Sequence, residues 1–215
     1  MKYPEEYINK IICGDCLEVM KGIPDKAVDL VLTDPPYGMD YQSAKRSEWQ
    51  RKEKIHGDKE FPLWIFPEFK RLASLAYFVF CRWDNLYEIP KPKSFIVWDK
   101  QIHGMGDLEH EYARQWEGIA FYPQENHKFT KRPTDIISVQ RVLPNNLTHP
   151  NEKPIDVLFQ IIKSHGVKTV LDPFCGSGST LVACKQAGVD YIGIDISQKY
   201  CEIAQRRLAQ EYLFT

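Results

Sequence analysis

Two short stretches hold residue types that can do chemistry. Asp34-Pro35-Pro36-Tyr37 joins a carboxylate to two prolines and an aromatic ring. Proline nitrogens cannot donate, so the backbone there offers free carbonyls that accept. Acceptors beside a ring suit a flat base bearing an exocyclic amine: oxygens take the N–H groups and the ring takes the π-face. Read alone, the four residues are better explained as a strand-ending turn with a surface tyrosine. The second stretch is Asp172-Pro173-Phe174-Cys175-Gly176-Ser177-Gly178-Ser179-Thr180. Its two glycines allow a ligand to approach the backbone closely. Leu181 stands where a third glycine would complete a dinucleotide fingerprint, and no Gly-Lys-Ser/Thr forms a phosphate loop. Asp195 follows within about 20 residues, where an acid can accept both hydroxyls of a ribose. Together these residues describe a pocket for a nucleoside without a polyphosphate, beside a turn that takes an amine.

The elements that must position them follow from the hydrophobic pattern. Ala27 to Leu32, broken only by Asp29, reads as a buried strand that exits abruptly into the prolines. Val167 to Leu171 and Tyr191 to Ile194 are strands on either side of a helix over Leu181 to Ala187. Ile8 to Cys13 is a further strand, and Asp15 is placed to cap a helix carrying Leu17, Met20 and Ile23. Phe61 to Leu75 reads as an aromatic-rich helix with Leu72 and Leu75 towards the core. Strands follow at Tyr77 to Cys81, Phe95 to Trp98, Tyr112 to Tyr122 and Asp135 to Val142, then helices over Ile155 to Ser164 and from Ser197 onward. Alternating strands and helices with glycine turns at strand ends predict a Rossmann-like, doubly wound α/β sheet with one ligand crevice. Adjacent central strands would bring Asp34 and Asp172 to that crevice.

A chain of 215 residues, 43% hydrophobic and 13% aromatic, can bury one substantial core. The formal net charge of −1 gives no global basic signal, so nucleic-acid contact must come from local patches. Two stretches qualify. Ser43 to Lys59 holds six cations against three acids, with Trp49 available for stacking; His127 to Arg141 holds Lys128, Lys131, Arg132 and Arg141 against Asp135. Either can also be a solvated face. The start lacks a secretory pattern and no apolar run approaches a membrane span, which predicts a cytoplasmic protein with no membrane association. The six cysteines are scattered, Cys13 and Cys16 have no second paired half, and His103, His110 and His127 lack metal-like spacing, so no metal site is expected.

The chain resembles the circularly permuted, beta-class amino-methyltransferases of restriction-modification and phage systems, which modify exocyclic amines in DNA with S-adenosylmethionine. In that family the Asp-Pro-Pro-Tyr block precedes the Phe-x-Gly-x-Gly block, as Asp34 to Tyr37 precedes Phe174 to Gly178. The resemblance implies a class I methyltransferase fold with an antiparallel late strand. Size points to a single domain over 1–215, the position of the charged stretch 43–59 directly after the amine-binding turn reads as a mobile loop closing over DNA or the target base, and 123–147 is a short segment for target recognition. It implies catalytic roles for Asp34, Pro35, Pro36 and Tyr37, with Tyr37 stacking on a base flipped from duplex DNA. It makes Asp15 and Cys16 adenine-side contacts of the cofactor. Thr148-His149-Pro150-Asn151-Glu152-Lys153-Pro154 is similar to a family element bordering the methionine end, which makes His149, Asn151 and Lys153 cofactor contacts; Lys153 can equally pair with Glu152. Asp172 is implied at the cofactor's amine end and Asp195 at its ribose, with Pro173, Phe174, Cys175, Gly176, Gly178, Thr180 and Ile196 completing the pocket. An aspartate opening the tetrapeptide points to adenine N6 as the target. The alternatives are cytosine N4 in DNA, an RNA base, or a catalytically silent cofactor-binding or DNA-binding subunit. The same resemblance implies a homodimer and allows for a cognate restriction endonuclease.

Overall fold

The computed structural model describes residues 1–38, 59–103, 109–110, 112–142 and 152–210. Its strands are β1 (Lys10–Cys13), β2 (Val28–Thr33), β3 (Ala73–Cys81), β4 (Ser94–Asp99), β5 (Trp116–Pro123), β6 (Ile136–Ser138), β7 (Thr169–Asp172) and β8 (Asp190–Asp195). Its helices are α1 (Cys16–Met20), α2 (Ile65–Leu72), α3 (Ile155–His165), α4 (Ser179–Ala187) and α5 (Gln198–Ala209). The eight strands form one sheet in the order β1-β8-β7-β2-β3-β5-β4-β6.

Five neighbouring strands, β1, β8, β7, β2 and β3, run parallel. Parallel strands need helical crossovers, and these cover both faces of the sheet. Strand β2 shows the consequence. Val28 and Val31 face Met20 of α1 and Phe66, Phe69 and Leu72 of α2. Leu30 and Leu32, on the opposite pleat, face Val157, Leu158, Ile161 and Ile162 of α3 with Ala183 and Cys184 of α4. The expected doubly wound mixed sheet is therefore the observed fold. Asp29, the acid inside this run, serves the fold. Its Oδ2 accepts from the backbone N–H groups of Lys168 (2.7 Å) and Thr169 (3.3 Å), and its Oδ1 from the Ser74 hydroxyl (3.2 Å). It ties β2 to the starts of both neighbours.

Several elements differ from expectation: the strand predicted at Tyr112 to Tyr122 begins only at Trp116, and the one predicted from Tyr77 already begins at Ala73. The helix predicted over Phe61 to Leu75 occupies only Ile65–Leu72. Pro67 sits in its first turn, where the missing N–H costs nothing, and Ala73 already pairs with Val28 in β3. Leu75 accordingly packs from β3 on the other face of the sheet from Leu72. The strand predicted at Asp135 to Val142 shortens to Ile136–Ser138, the stretch that β4 can pair at the sheet edge. A 3₁₀ turn, Asp84–Tyr87, lies in the link after β3.

The topology sets the site. Leu30 pairs with Val170 and Val31 with Leu171, so the chain leaves β2 and β7 side by side. Strand β5 is antiparallel to β3, with Gly118 opposite Cys81. An antiparallel strand begins where its parallel neighbours end, and β5 therefore delivers its first residues to the same edge.

Candidate active site

The carboxyl ends of β2 and β7 are joined by a buried clasp. Thr33 donates its hydroxyl to Asp172 Oδ1 at 2.6 Å, the Phe174 N–H reaches the same oxygen at 3.1 Å, and the nearby Thr180 side chain also favours the charged carboxyl. Asp172 is only 3% exposed. Burial pushes its carboxyl up to about 6, against the pull of these donors.

Beyond the clasp stands the tetrapeptide. Asp34 Oδ2 accepts from Lys153 Nζ at 2.8 Å and Oδ1 from the Tyr37 hydroxyl. Lys153 also donates to Glu117 Oε1 at 2.8 Å and to the Tyr37 oxygen at 3.2 Å, and its ammonium lies 5.5 Å from the Tyr37 ring centre and 5.1 Å from that of Phe80. Tyr37 Oη lies 2.5 Å from Glu117 Oε1, and Lys100 pairs with Glu117 Oε2 at 2.9 Å. Two carboxylates and two ammonium groups thus form a neutral, largely buried network. Burial raises the Asp34 carboxyl, Lys153 opposes this, and Glu117 adds to it. Burial would raise Glu117 too, but Lys153 and Lys100 outweigh it and hold that carboxyl at about 2. Burial disfavours the Lys153 charge, yet Asp34 and Glu117 together raise its pKa. The Tyr37 hydroxyl, buried between two acids, is raised well above its ordinary value. Asn85 fixes the turn from behind, donating from Nδ2 to the Tyr37 carbonyl at 3.3 Å.

The glycine turn is the second half of the site. Gly178 has φ +83°, and a Cβ there would stand 2.8 Å from the Ala204 Cβ of α5, so both the backbone conformation and the close approach demand glycine. Asp195, at the end of β8, accepts from the Gly176 N–H through Oδ2 (2.9 Å) and the Ser197 N–H through Oδ1 (2.8 Å). Burial raises its carboxyl. Ile196 beside it is 47% exposed, and the Phe174 ring lies 6.3 Å from that of Trp64. Asp15 caps α1, accepting from the Leu17 and Glu18 N–H groups at 2.8 and 3.2 Å. Burial, then Asp15, pushes the Cys16 thiol up to about 12, and burial holds Cys175 well above its usual range. Neither is activated as a thiolate nucleophile.

Asp34, Pro35, Pro36, Tyr37, Lys153, Asp172, Pro173 and Phe174 gather at the β2–β7 exit, and Asp15, Cys16, Cys175, Gly176, Gly178, Thr180, Asp195 and Ile196 belong to the turns around β1, β7 and β8. His149 and Asn151 lie outside the described residues. Lys153 pairs with Asp34 and Glu117, while Glu152 pairs with Arg207 at 2.7 Å. Arg207 also donates to the Ser177 carbonyl and hydroxyl, both at 2.9 Å, and so joins α5 to the glycine turn. Glu117, Lys100, Thr33 and Arg207 are additions that sequence reasoning missed. For Glu117 a signal exists: it is the lone acid in the otherwise apolar strand Trp116–Pro123.

This fold and paired site define a class I methyltransferase architecture. The chain belongs to the N6/N4 DNA methylase family, whose model matches residues 28–206. YubD of Escherichia coli strain K12 is 30% identical over 94% of this chain and 91% of its own length. The type II methyltransferase M.HinfI of Haemophilus influenzae is 25% identical over 95% of this chain and 69% of its own. Among solved structures, the M1.HpyAVI–SAM complex superposes with a TM-score of 0.68 at 22% identity, covering 92% of this chain and 98% of that one. The cytosine-N4-specific PvuII DNA methyltransferase gives 0.70 at 14% identity, covering 98% and 92%. The methyl donor of this family is S-adenosylmethionine, and the residues present fit it: a carboxylate at a strand end, an exposed Ile196 beside it and a glycine turn without a phosphate-binding lysine. Among the described residues no helix is long and apolar enough to cross a membrane.

Proposed function

We propose that the chain is a circularly permuted, beta-class enzyme that methylates N6 of adenine flipped out of double-stranded DNA. The observation carrying this reading is the Asp34 carboxylate at the β2–β7 exit, beside the Tyr37 ring and next to the glycine turn. An exocyclic amine is a poor nucleophile because its lone pair is shared with the ring. Asp34 and the Pro35 carbonyl, each accepting one N–H, favour a more pyramidal nitrogen, and Tyr37 holds the base by stacking. Asp34 is also placed to hold the proton that the amine gives up. The cofactor, when bound, supplies an electrophilic methyl on a sulfonium. Asp195 is assigned to its ribose, with Ile196, Asp15 and Cys16 on its adenine side and Phe174 along its length. Asp172, Lys153, His149 and Asn151 are assigned to its amino-acid end, with Pro173, Cys175, Gly176, Gly178 and Thr180 shaping the turn. Adenine is favoured over cytosine by the aspartate that opens the tetrapeptide. The DNA adenine methyltransferase YhdJ of Escherichia coli strain K12, 27% identical over 92% of this chain and 82% of its own, supports that choice.

The Asp34→Ala substitution tests the proposal. It should lower transfer to DNA roughly 100-fold or more while cofactor affinity stays at the wild-type value; wild-type activity would refute the mechanism. The segment 43–59, of which 43–58 lie outside the described residues, is assigned to closing over the base. The segment 123–147, described as far as Val142, is assigned to target recognition. In it Lys128, Lys131 and Arg132 are exposed. So short a recognition segment suits a homodimer, which light scattering at working concentration would reveal or deny. Kinship with type II methyltransferases supports a restriction-modification setting, with a cognate endonuclease as partner.

A further inference from the structure

We infer that Glu117 is a positioning residue for methyl transfer: its Oε1 is the alternative acceptor that draws Lys153 and the Tyr37 hydroxyl off Asp34, freeing that carboxylate for the incoming amine. This rests on Asp34 being the amine acceptor. In the structure both Asp34 oxygens are engaged, Oδ2 by Lys153 and Oδ1 by Tyr37. An N–H entering there must displace them. Lys153 is 8% exposed, so an ammonium displaced from Asp34 cannot turn to bulk water; whatever it also gives to the cofactor's amino-acid end, it needs a protein acceptor already in place. One atom serves both displaced donors. Glu117 Oε1 lies 2.8 Å from Lys153 Nζ and 2.5 Å from the Tyr37 oxygen.

The charges favour that transfer. Lys100 anchors the far oxygen of Glu117 at 2.9 Å, which keeps the acceptor charged and aimed. Asp34 and Glu117 balance Lys153 and Lys100, so Lys153 can change partner without leaving a net charge in the buried network. Without Glu117, Asp34 would be the one carboxylate left to Lys153 and Tyr37 among the described residues they contact. Both donors would then compete with the substrate amine.

The test compares wild type, Glu117→Gln and Glu117→Asp in single-turnover transfer of labelled methyl to duplex DNA, with cofactor affinity and the DNA KM measured separately. In Glu117→Gln, cofactor affinity and KM should stay within about twofold of wild type while the transfer rate falls by roughly 100-fold, the scale of one lost positioned charge contact. The acid limb of its pH–rate profile should also move to lower pH, because the Glu117 charge is one of the influences that raise the Asp34 carboxyl. Glu117→Asp keeps the charge but shortens the reach. Its acid limb should stay near that of wild type, with an intermediate rate. A wild-type rate in Glu117→Gln, a loss confined to cofactor affinity or KM, or an unmoved acid limb would overturn the role. If Glu117→Gln loses its cooperative melt, a wild-type rate in Glu117→Asp overturns it instead. Active wild type beside an unaffected variant would sink this role alone, whereas wild type that transfers no methyl to DNA would sink the functional reading beneath it.

Discussion

At Asp172 a residue's value to the fold and its value to the site can be separated. Its carboxyl is raised from 3.8 to about 6 by burial. A carboxyl raised in the folded state stabilises most below its unfolded pKa, and that contribution is lost as pH rises through about 6. Replacement by asparagine keeps an oxygen for the Thr33 hydroxyl and the Phe174 N–H but removes the buried charge. Asp172→Asn should therefore melt higher than wild type at pH 8, by on the order of 1–3 kcal/mol, with a smaller difference at pH 5, and should bind S-adenosylmethionine more weakly. Melting curves at both pH values and a binding isotherm check this. A variant that melts lower at pH 8 would show that the charge strengthens the clasp. Asp34, Tyr37 and Asp172 were legible from residue type and spacing, because each stands at a strand exit that prolines or glycines announce. Glu117 was not, since its place depends on an antiparallel pairing that brings residue 117 to the exit at residue 34.

At the scale of elements, Arg207 ties the last helix to the site. Its guanidinium holds Ser177 in the glycine turn and Glu152 next to Lys153, so α5 positions both halves of the pocket. The side chains of Arg207 and Glu152 are 12% and 8% exposed. Arg207→Met should cost about 3 kcal/mol of stability, as when one partner of a buried pair is removed, and should weaken cofactor binding more than it slows transfer at saturating cofactor. Equal cofactor affinity in the variant would contradict the coupling. The helix α3 carries a different liability at its C-terminal end. His165 is 5% exposed, its ring packs within 5.1 Å of those of Phe78, Phe129 and His127, and burial lowers its pKa to about 4. Burial lowers His127 as well. Groups kept neutral in the fold must take up protons to follow the unfolded chain, so stability is full above about 6.5 and falls as pH drops towards 4. Chemical denaturation should find the protein less stable at pH 5 than at pH 7, and His165→Phe should flatten that slope. An unchanged slope would show that the acid lability lies elsewhere. Helix α3 was readable from its apolar spacing. The short α2 and β6 were not, because their ends are set by pairing with β2 and β4 rather than by local preference.

For the whole molecule, one sheet collects at a single edge the ends of β2, β7 and β8 and the start of β5. The parallel part of that arrangement was legible because strands alternate with helices in the chain. The convergence of Lys100, Glu117 and Lys153 on Asp34 was not, because it joins residues that only the completed sheet brings together. The near-neutral net charge of −1 leaves DNA affinity to local cations; if, as proposed, Lys128, Lys131 and Arg132 supply it, substituting them with alanine should weaken binding and its dependence on salt. The proposed reaction moves a methyl group to the exocyclic amine of adenine in DNA. The measurement that reaches it most directly is incubation with labelled S-adenosylmethionine and mixed-sequence duplex DNA, followed by digestion and mass spectrometry of the nucleosides. Label in N6-methyldeoxyadenosine is the predicted result. Label in N4-methyldeoxycytidine would contradict the choice of base, and no label in DNA, from protein shown to bind the cofactor, would contradict the function itself.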